Sequence, residues 1–368
     1  MGRRLPARAV PCTVSRMTVE LSQLRAGIEV ELATFLAKQH KLMADINPES
    51  VVLIESISEF ISGGKRLRPT FLLAGWLATS SPLTANVFQA AAALELLQAC
   101  ALIHDDVMDS SDTRRGKPAT HREFATYHRG HRWLGSSETF GTGAAILLGD
   151  LCLSWADELL MSTDFTPEQK NAGKQIYDLM RTELMIGQYL DLLEQARGGG
   201  SIERAFDVIR LKSAKYTIEK PLVLGATLAG ANPELIAAVA EYGLTLGEAF
   251  QLRDDVLGVY GDPQETGKPA GDDLREGKQT VLIAEALATA NPQQHEAINY
   301  HLGNPAIDDG EIAMLREIIT ATGALQRVEL RITDMTNRAK IAAKSGQIPI
   351  DVQNLLLQLA DAATSRKV

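Results

Sequence analysis

Apolar residues recur with a helical period from about Val19 to the end of the chain. The longest runs, 85–103, 144–160 and 237–252, are rich in Ala and Leu. They hold no internal proline and show little of the alternation that marks strands. Helix stops fall between the runs, at Ser62-Gly63-Gly64, Ser80-Ser81-Pro82, Arg197-Gly198-Gly199-Gly200, Asn232-Pro233 and Gly261-Asp262-Pro263. Thr166 ahead of Pro167-Glu168-Gln169 predicts an N-cap with proline at the first helical position. Helices of about 20 residues or more, joined by short turns, predict an all-α fold. The expected form is a single-domain helical bundle with long central helices around a deep apolar cavity. No Pro/Gly/Ser-rich linker divides residues 18–368, which are read as one domain. Residues 1–17 are expected to be a disordered extension, with Met17 a second possible translation start. Segment 110–137 is polar and predicted to be a long solvated loop, with His121, His128 and His131 scattered along it.

Composition narrows the function. A chain of 368 residues with 45% hydrophobic content can bury a large core, and a net charge of −9 argues against a nucleic-acid partner. Positive charge is concentrated at Lys65-Arg66-Leu67-Arg68 and Arg114-Arg115-Gly116-Lys117, which suits a small anionic substrate. Three cysteines, Cys12, Cys100 and Cys152, lack metal-ligand spacing and make a poor disulfide framework, so a reducing cytoplasm is expected. No apolar run is read as a transmembrane segment, and the basic start lacks the apolar core of a signal peptide.

Two Asp-rich patches carry the chemistry. The first is His104-Asp105-Asp106-Val107-Met108-Asp109; the second is Gln251-Leu252-Arg253-Asp254-Asp255-Val256-Leu257-Gly258. On a helix Asp105 and Asp109 share a face, and Gln251 stands one turn before Asp255. Carboxylates stacked at the inner end of an apolar helix repel one another unless cations sit between them. Hard oxygen ligands suit Mg²⁺, which shares its sphere with water and substrate phosphates. Gly63-Gly64-Lys65-Arg66-Leu67-Arg68-Pro69 adds backbone that a ligand can approach closely, at Gly64, and forked donors for phosphate. Lys268 and Lys278 flank a further turn that mixes cations, glycine and carboxylates.

The first patch with Arg114-Arg115-Gly116-Lys117-Pro118 resembles the first aspartate-rich motif of trans-isoprenyl diphosphate synthases. Gly63 to Pro69, Gly187-Gln188-Tyr189-Leu190-Asp191, Lys212-Ser213-Ala214 and Phe250 to Asp255 match that family's other motifs in order. The chain looks most like the actinobacterial geranylgeranyl diphosphate synthases. The resemblance implies that Asp105, Asp109 and Asp254 hold Mg²⁺, three ions with substrate bound, with Asp106 and Asp255 in support. It implies that Arg114, Lys212 and Lys268 bind the allylic diphosphate, while Lys65, Arg68 and Arg115 bind isopentenyl diphosphate. Ser213 and Gln251 supply weak dipoles to the allylic cation, and no catalytic Ser-His or Cys-His pair is required. A homodimer is likewise implied.

Two departures stand out. Gly258 occupies the place of a third aspartate in many relatives, with Asp262 a turn later. Gln98 stands where many bacterial members carry a histidine that contacts isopentenyl diphosphate. Small residues at Cys100 and Ala101, in place of bulky aromatics, favour a C20 or longer product, with Leu97 the candidate floor. Alternatives are a farnesyl or longer-chain synthase, a non-catalytic subunit of a heteromeric synthase, and a class I terpene cyclase.

Overall fold

The computed structural model describes residues 20–262 and 271–365. The expected N-terminal extension, Cys12 and Lys268 lie outside the described residues. The first helices are α1 (Leu21–Ile46), α2 (Val51–Ile61), α3 (Leu67–Leu77) and α4 (Ala85–Met108). A two-residue hairpin, Thr113–Arg114 against Lys117–Pro118, follows. Then come α5 (Thr120–His131), α6 (Ser137–Met161), α7 (Pro167–Arg197), α8 (Ile202–Val208), a π-helix (Ile209–Glu219), α9 (Lys220–Leu228) and α10 (Pro233–Tyr260). Shorter helices, from Asp272–Glu276 to Ile350–Thr364, complete the described chain. The three apolar runs all fall inside helices, as the periodicity predicts.

Local chemistry explains the boundaries. Thr166 accepts a hydrogen bond from the Gln169 backbone, and Gln169 reaches back to the Thr166 N–H. This completes a capping box ahead of the 31-residue α7. Helix α4 is long and apolar enough to cross a membrane by length and composition alone. It is instead the centre of the bundle, flanked by α1, α3 and α6, with Leu94, Leu96 and Leu97 fully buried. Helices α3 and α9 cross at backbone distance: a Cβ on Gly75 would lie 2.0 Å from the Leu222 carbonyl oxygen, and one on Gly225 only 1.9 Å from that of Leu72. The main apolar cluster surrounds α4; a smaller one joins α8 and the end of α10 to the C-terminal helices.

Segment 110–137 departs from its predicted loop. It forms the hairpin and α5, which packs on α6. The buried side of α5 is His121, Phe124, Ala125 and His128. This is a helical pattern in which histidines replace aliphatic residues. His121 and His128 are buried rather than solvated, and His128 Nε2 lies 3.1 Å from the Leu134 carbonyl oxygen. Gly141 permits the docking, because a Cβ there would meet the His121 carbonyl oxygen at 2.1 Å.

The second departure is the backbone around Lys212-Ser213-Ala214. Helical periodicity alone predicts an ordinary α-helix here; the structure places these residues inside the π-helix, which runs unbroken into α9. The extra residue per turn widens the helix and leaves a weak ladder, a form concentrated at functional sites.

Candidate active site

A cavity of about 730 Å³ is lined by α4, α7, the π-helix and α10, together with the turns after α2 and α4. It gathers Gly64, Lys65, Arg68, Gln98, Ala101, Asp105, Arg114, Arg115, Lys212, Ser213, Gln251, Asp254, Asp255 and Lys278. Asp106 and Asp109 sit behind its wall. Leu97 and Cys100 do not line it; both belong to the packed core.

The first Asp patch lies in the last turn of α4, where the helix dipole opposes negative charge. Three of the protein's own cations answer it. Arg114 Nε donates to Asp106 Oδ1 at 2.9 Å, and its Nη2 donates to both Asp106 and Asp105. Lys212 Nζ donates to Asp105 Oδ1 at 3.0 Å and to Asp191 Oδ2 at 2.6 Å. Lys278 Nζ stands 2.7 Å from Glu276, 3.5 Å from Asp273 and 3.6 Å from Asp109. Burial alone would raise Asp105, but Lys212, Lys278 and Arg114 outweigh it and hold the carboxyl well below its usual range. Asp109 goes the other way: burial, then the Asp105 charge, raise it against Lys278 and Lys212. Its side chain is 1% exposed, and neither oxygen has a hydrogen-bond partner.

In the second patch Asp255 accepts from Gln251 Nε2 at 2.7 Å. Burial pushes Asp255 up to about 8, against that hydrogen bond, with Asp273 and Asp254 adding repulsion. Among the described residues no three metal-ligating side chains converge into a ready-made cage. That is compatible with Mg²⁺, which binds through one or two carboxylates plus waters and phosphates. The orphaned oxygens of Asp109 and the strained Asp255 fit such an ion, since a divalent cation would relieve both.

A second group of cations occupies another part of the wall. Arg68 lies 4.2 Å over the Tyr216 ring and donates to Thr217 Oγ1 at 2.8 Å, while its buried Nε has no partner. Arg115 is in a left-handed conformation, with φ of 53°. Burial lowers its pKa; Glu95 opposes this, and Arg114, Arg66 and Arg68 add to it. Such crowding of like charge favours an incoming anion. Gln98 accepts from the Tyr216 hydroxyl at 2.5 Å, so its amide N–H₂ is the part that can donate to a ligand.

Arg66, although in the same basic turn, serves the scaffold. Its guanidinium donates to Glu29, Glu95 and the Ile61 carbonyl, and only 3% of the residue is exposed. Sequence reasoning gave no role to Asp191, which anchors Lys212, or to Tyr216, which braces both Arg68 and Gln98. The motif Gly187 to Asp191 was the available signal for the former; nothing in the sequence marks the latter.

A family model described as polyprenyl synthetase matches residues 51–319. The chain belongs to the polyprenyl synthetase family. A solved geranylgeranyl pyrophosphate synthase from Corynebacterium glutamicum, complexed with isoprenyl diphosphate and magnesium, is 42% identical, with a TM-score of 0.92 over 95% of this chain and 100% of that one. A short chain isoprenyl diphosphate synthase from Methanocaldococcus jannaschii is 33% identical over 79% of this chain and 80% of its own length. A geranylfarnesyl diphosphate synthase from Aeropyrum pernix is 31% identical over 83% and 91%. The helical fold and the ordered motifs agree with this family, and the chain is a prenyltransferase of the trans-isoprenyl diphosphate synthase kind.

Proposed function

We propose that this polyprenyl synthetase condenses isopentenyl diphosphate head-to-tail with dimethylallyl, geranyl and farnesyl diphosphates, using Mg²⁺, to form all-trans geranylgeranyl diphosphate. The observation that carries the reading is the separation of charge within one cavity. Carboxylates from α4 and α10 meet Arg114, Lys212 and Lys278 in one part, while Arg68 and Arg115 crowd another, with apolar wall between α4 and α7. One anion with metal ions fits the first part, and a second anion fits the other.

Asp105, Asp109, Asp254 and Asp255 would hold the magnesium, which supplies positive charge to the departing diphosphate. Lys212 and Arg114 bind that diphosphate as its C1–O bond breaks and the electron pair leaves with it. Lys65, Arg68, Arg115 and Gln98 position isopentenyl diphosphate so that its C3–C4 π pair attacks C1. The new C1–C4 bond leaves a tertiary cation at C3. Loss of a C2 proton to the released diphosphate restores the double bond and balances the charge. Gln251 and Ser213 offer neutral dipoles beside the cations.

Ala101, Leu102, Leu184, Val208, Ile209 and Phe250 give the growing chain an apolar wall. The small side chains of Ala101 and Cys100 support a C20 product, with Leu97 behind them as the floor. Exposed Ile146 and Leu147 on α6, and Met185, Ile186 and Tyr189 on α7, are apolar surface that a second copy would cover in a homodimer. The free, buried Cys100 and Cys152 suit a cytoplasmic enzyme.

The test is incubation with labelled isopentenyl diphosphate, each allylic starter and Mg²⁺, followed by phosphatase treatment and chromatography. Geranylgeraniol is expected. A farnesol or C25 end product refutes the assigned length. Diphosphate release without any prenyl alcohol would mark a cyclase, and absence of turnover a partner subunit.

A further inference from the structure

Helix α6 outruns the helix it packs against. Gln89, near the start of α4, donates to the Leu159 carbonyl near the end of α6, while His104 Nε2 lies 3.0 Å from the Ile146 carbonyl oxygen. The two helices are therefore antiparallel, and α6 begins at Ser137, well before the level of His104. At about 1.5 Å per residue, its first turns extend about 14 Å past that level, whereas α4 ends at Met108, about 6 Å past it. The turn between α5 and α6, residues 132–136, thus projects from the end of α4 that carries the first Asp patch.

This tip is apolar, cationic and rigid. Leu134 is 97% exposed, more than any other large apolar side chain among the described residues, and Trp133 is 47% exposed. The Trp133 ring packs against His131, Tyr127 and Phe140, with centroids 4.9, 5.4 and 5.5 Å away. Buried His128 lies against the Leu134 carbonyl, and Arg132 and Gly135 take the left-handed conformations that close the turn. Fixed backbone therefore holds Leu134 outward. Residues 126–137 carry Arg129 and Arg132 and no carboxylate, in a chain of net charge −9. Arg129 pairs with Glu138, and Arg132 is exposed.

A leucine at the apex, aromatic rings behind it and arginines beside them match the layers of a bilayer surface. Aliphatic groups reach the acyl boundary, Trp and Tyr sit at headgroup depth, and arginines meet anionic headgroups. The apolar surface at Ile146 and Leu147, which a second copy would cover, lies at the level of His104; the tip lies beyond it.

We propose that the α5–α6 tip docks this protein on the surface of an anionic bilayer, with Leu134 and Trp133 at the acyl boundary and Arg129 and Arg132 on lipid phosphates. The contact is peripheral and reversible, since a single short anchor binds only marginally. On the proposed function, docking would release an amphiphilic C20 diphosphate beside the layer that takes it up. The docking itself does not depend on that function.

The full chain supplies its own probe. Of its three tryptophans, Trp76 and Trp155 are buried, so a change of emission on adding vesicles reports Trp133. Vesicles of phosphatidylglycerol with phosphatidylcholine should shift the emission to the blue, and acyl-brominated lipids should quench it. Phosphatidylcholine alone, or anionic vesicles at high salt, should act far more weakly. Leu134→Ser should raise the lipid midpoint about tenfold and Arg132→Gln about fivefold, both at the wild-type melting temperature.

An emission spectrum that anionic vesicles leave unmoved would overturn the proposal. So would Leu134→Ser and Arg132→Gln proteins that bind vesicles as wild type does. If Leu134→Ser instead turns a dimer into a monomer on size-exclusion chromatography, the tip is an interface with a second copy and the proposal falls.

Discussion

The substitution Gly187→Ala tests whether the π-helix must sit where it does. Gly187 on α7 faces the π-helix, and a Cβ there would lie 2.2 Å from the Lys212 backbone nitrogen and 2.6 Å from the Leu211 carbonyl carbon. Ordinary contact begins near 3.4 Å, so α7 and the π-helix must part by about 1.2 Å. Both contacts are backbone, and no flexible side chain can absorb the shift. Lys212 Nζ holds Asp105 at 3.0 Å and Asp191 at 2.6 Å, so the displacement carries the ammonium off both. Misplacing a catalytic group by about 1 Å costs roughly 100-fold in rate, and overpacking a core costs about 1–3 kcal/mol. The assay is steady-state turnover of farnesyl with isopentenyl diphosphate, beside urea denaturation of the same sample. The expected result is a kcat lower by about two orders of magnitude, with stability reduced by about 1–3 kcal/mol. A Gly187→Ala enzyme within about threefold of wild-type kcat, at unchanged stability, would refute the argument that this backbone contact sets the position of Lys212.

Three further outcomes follow from the same structure. Cys100→Phe with Ala101→Phe should shift the product towards farnesyl diphosphate, and an unchanged product distribution would sink the chain-length assignment. Arg66→Ala leaves Glu95 buried without its partner, so urea denaturation should show a loss of about 3–5 kcal/mol; Lys, lacking the fork that reaches Glu29, Glu95 and Ile61 together, should restore little of it. Asp255 has a pKa of about 8 in the folded protein against an ordinary 3.8, so this group favours the fold below about pH 4 and its contribution is lost as pH rises through 8. Metal-free protein should therefore weaken as pH rises from about 6 to 8, with Mg²⁺ and diphosphate reversing the loss. A metal-free urea midpoint that climbs over that range would contradict the burial of Asp255.

Much of the fold was legible because long Ala- and Leu-rich runs leave only one way to bury a helix on all sides, and Gly, Pro and Thr marked their ends. Helix α5 was not legible, because its inward face uses His121 and His128, which read as polar until their partners are known. The π-helix escaped for a different reason: an i→i+5 ladder has no residue preference of its own and is imposed by α7 and α10 packing against it. The Asp patches and basic turns could be picked out as chemistry, but not which cation faces which way. Arg66 and Arg68 are two residues apart, yet one is sealed against glutamates and the other stacks on Tyr216 beside the cavity. Nor does any local pattern record that the Asp273 carboxylate stands beside Gly258.

The stacking of Arg114, Lys212 and Lys278 onto the Asp patch has a thermodynamic consequence. On the proposed function, Asp105, Asp106 and Asp109 of the empty enzyme each already lie against a cation, so Mg²⁺ arriving alone must displace it. Diphosphate arriving alone must pull those cations from carboxylates that would then face one another uncompensated. Either ligand lowers the obstacle to the other, and by linkage the gain is the same in both directions, typically about 5- to 150-fold in affinity. The ion pairs of the resting site thus act as a reciprocal threshold, and the cation and the anion are best regarded as one composite ligand.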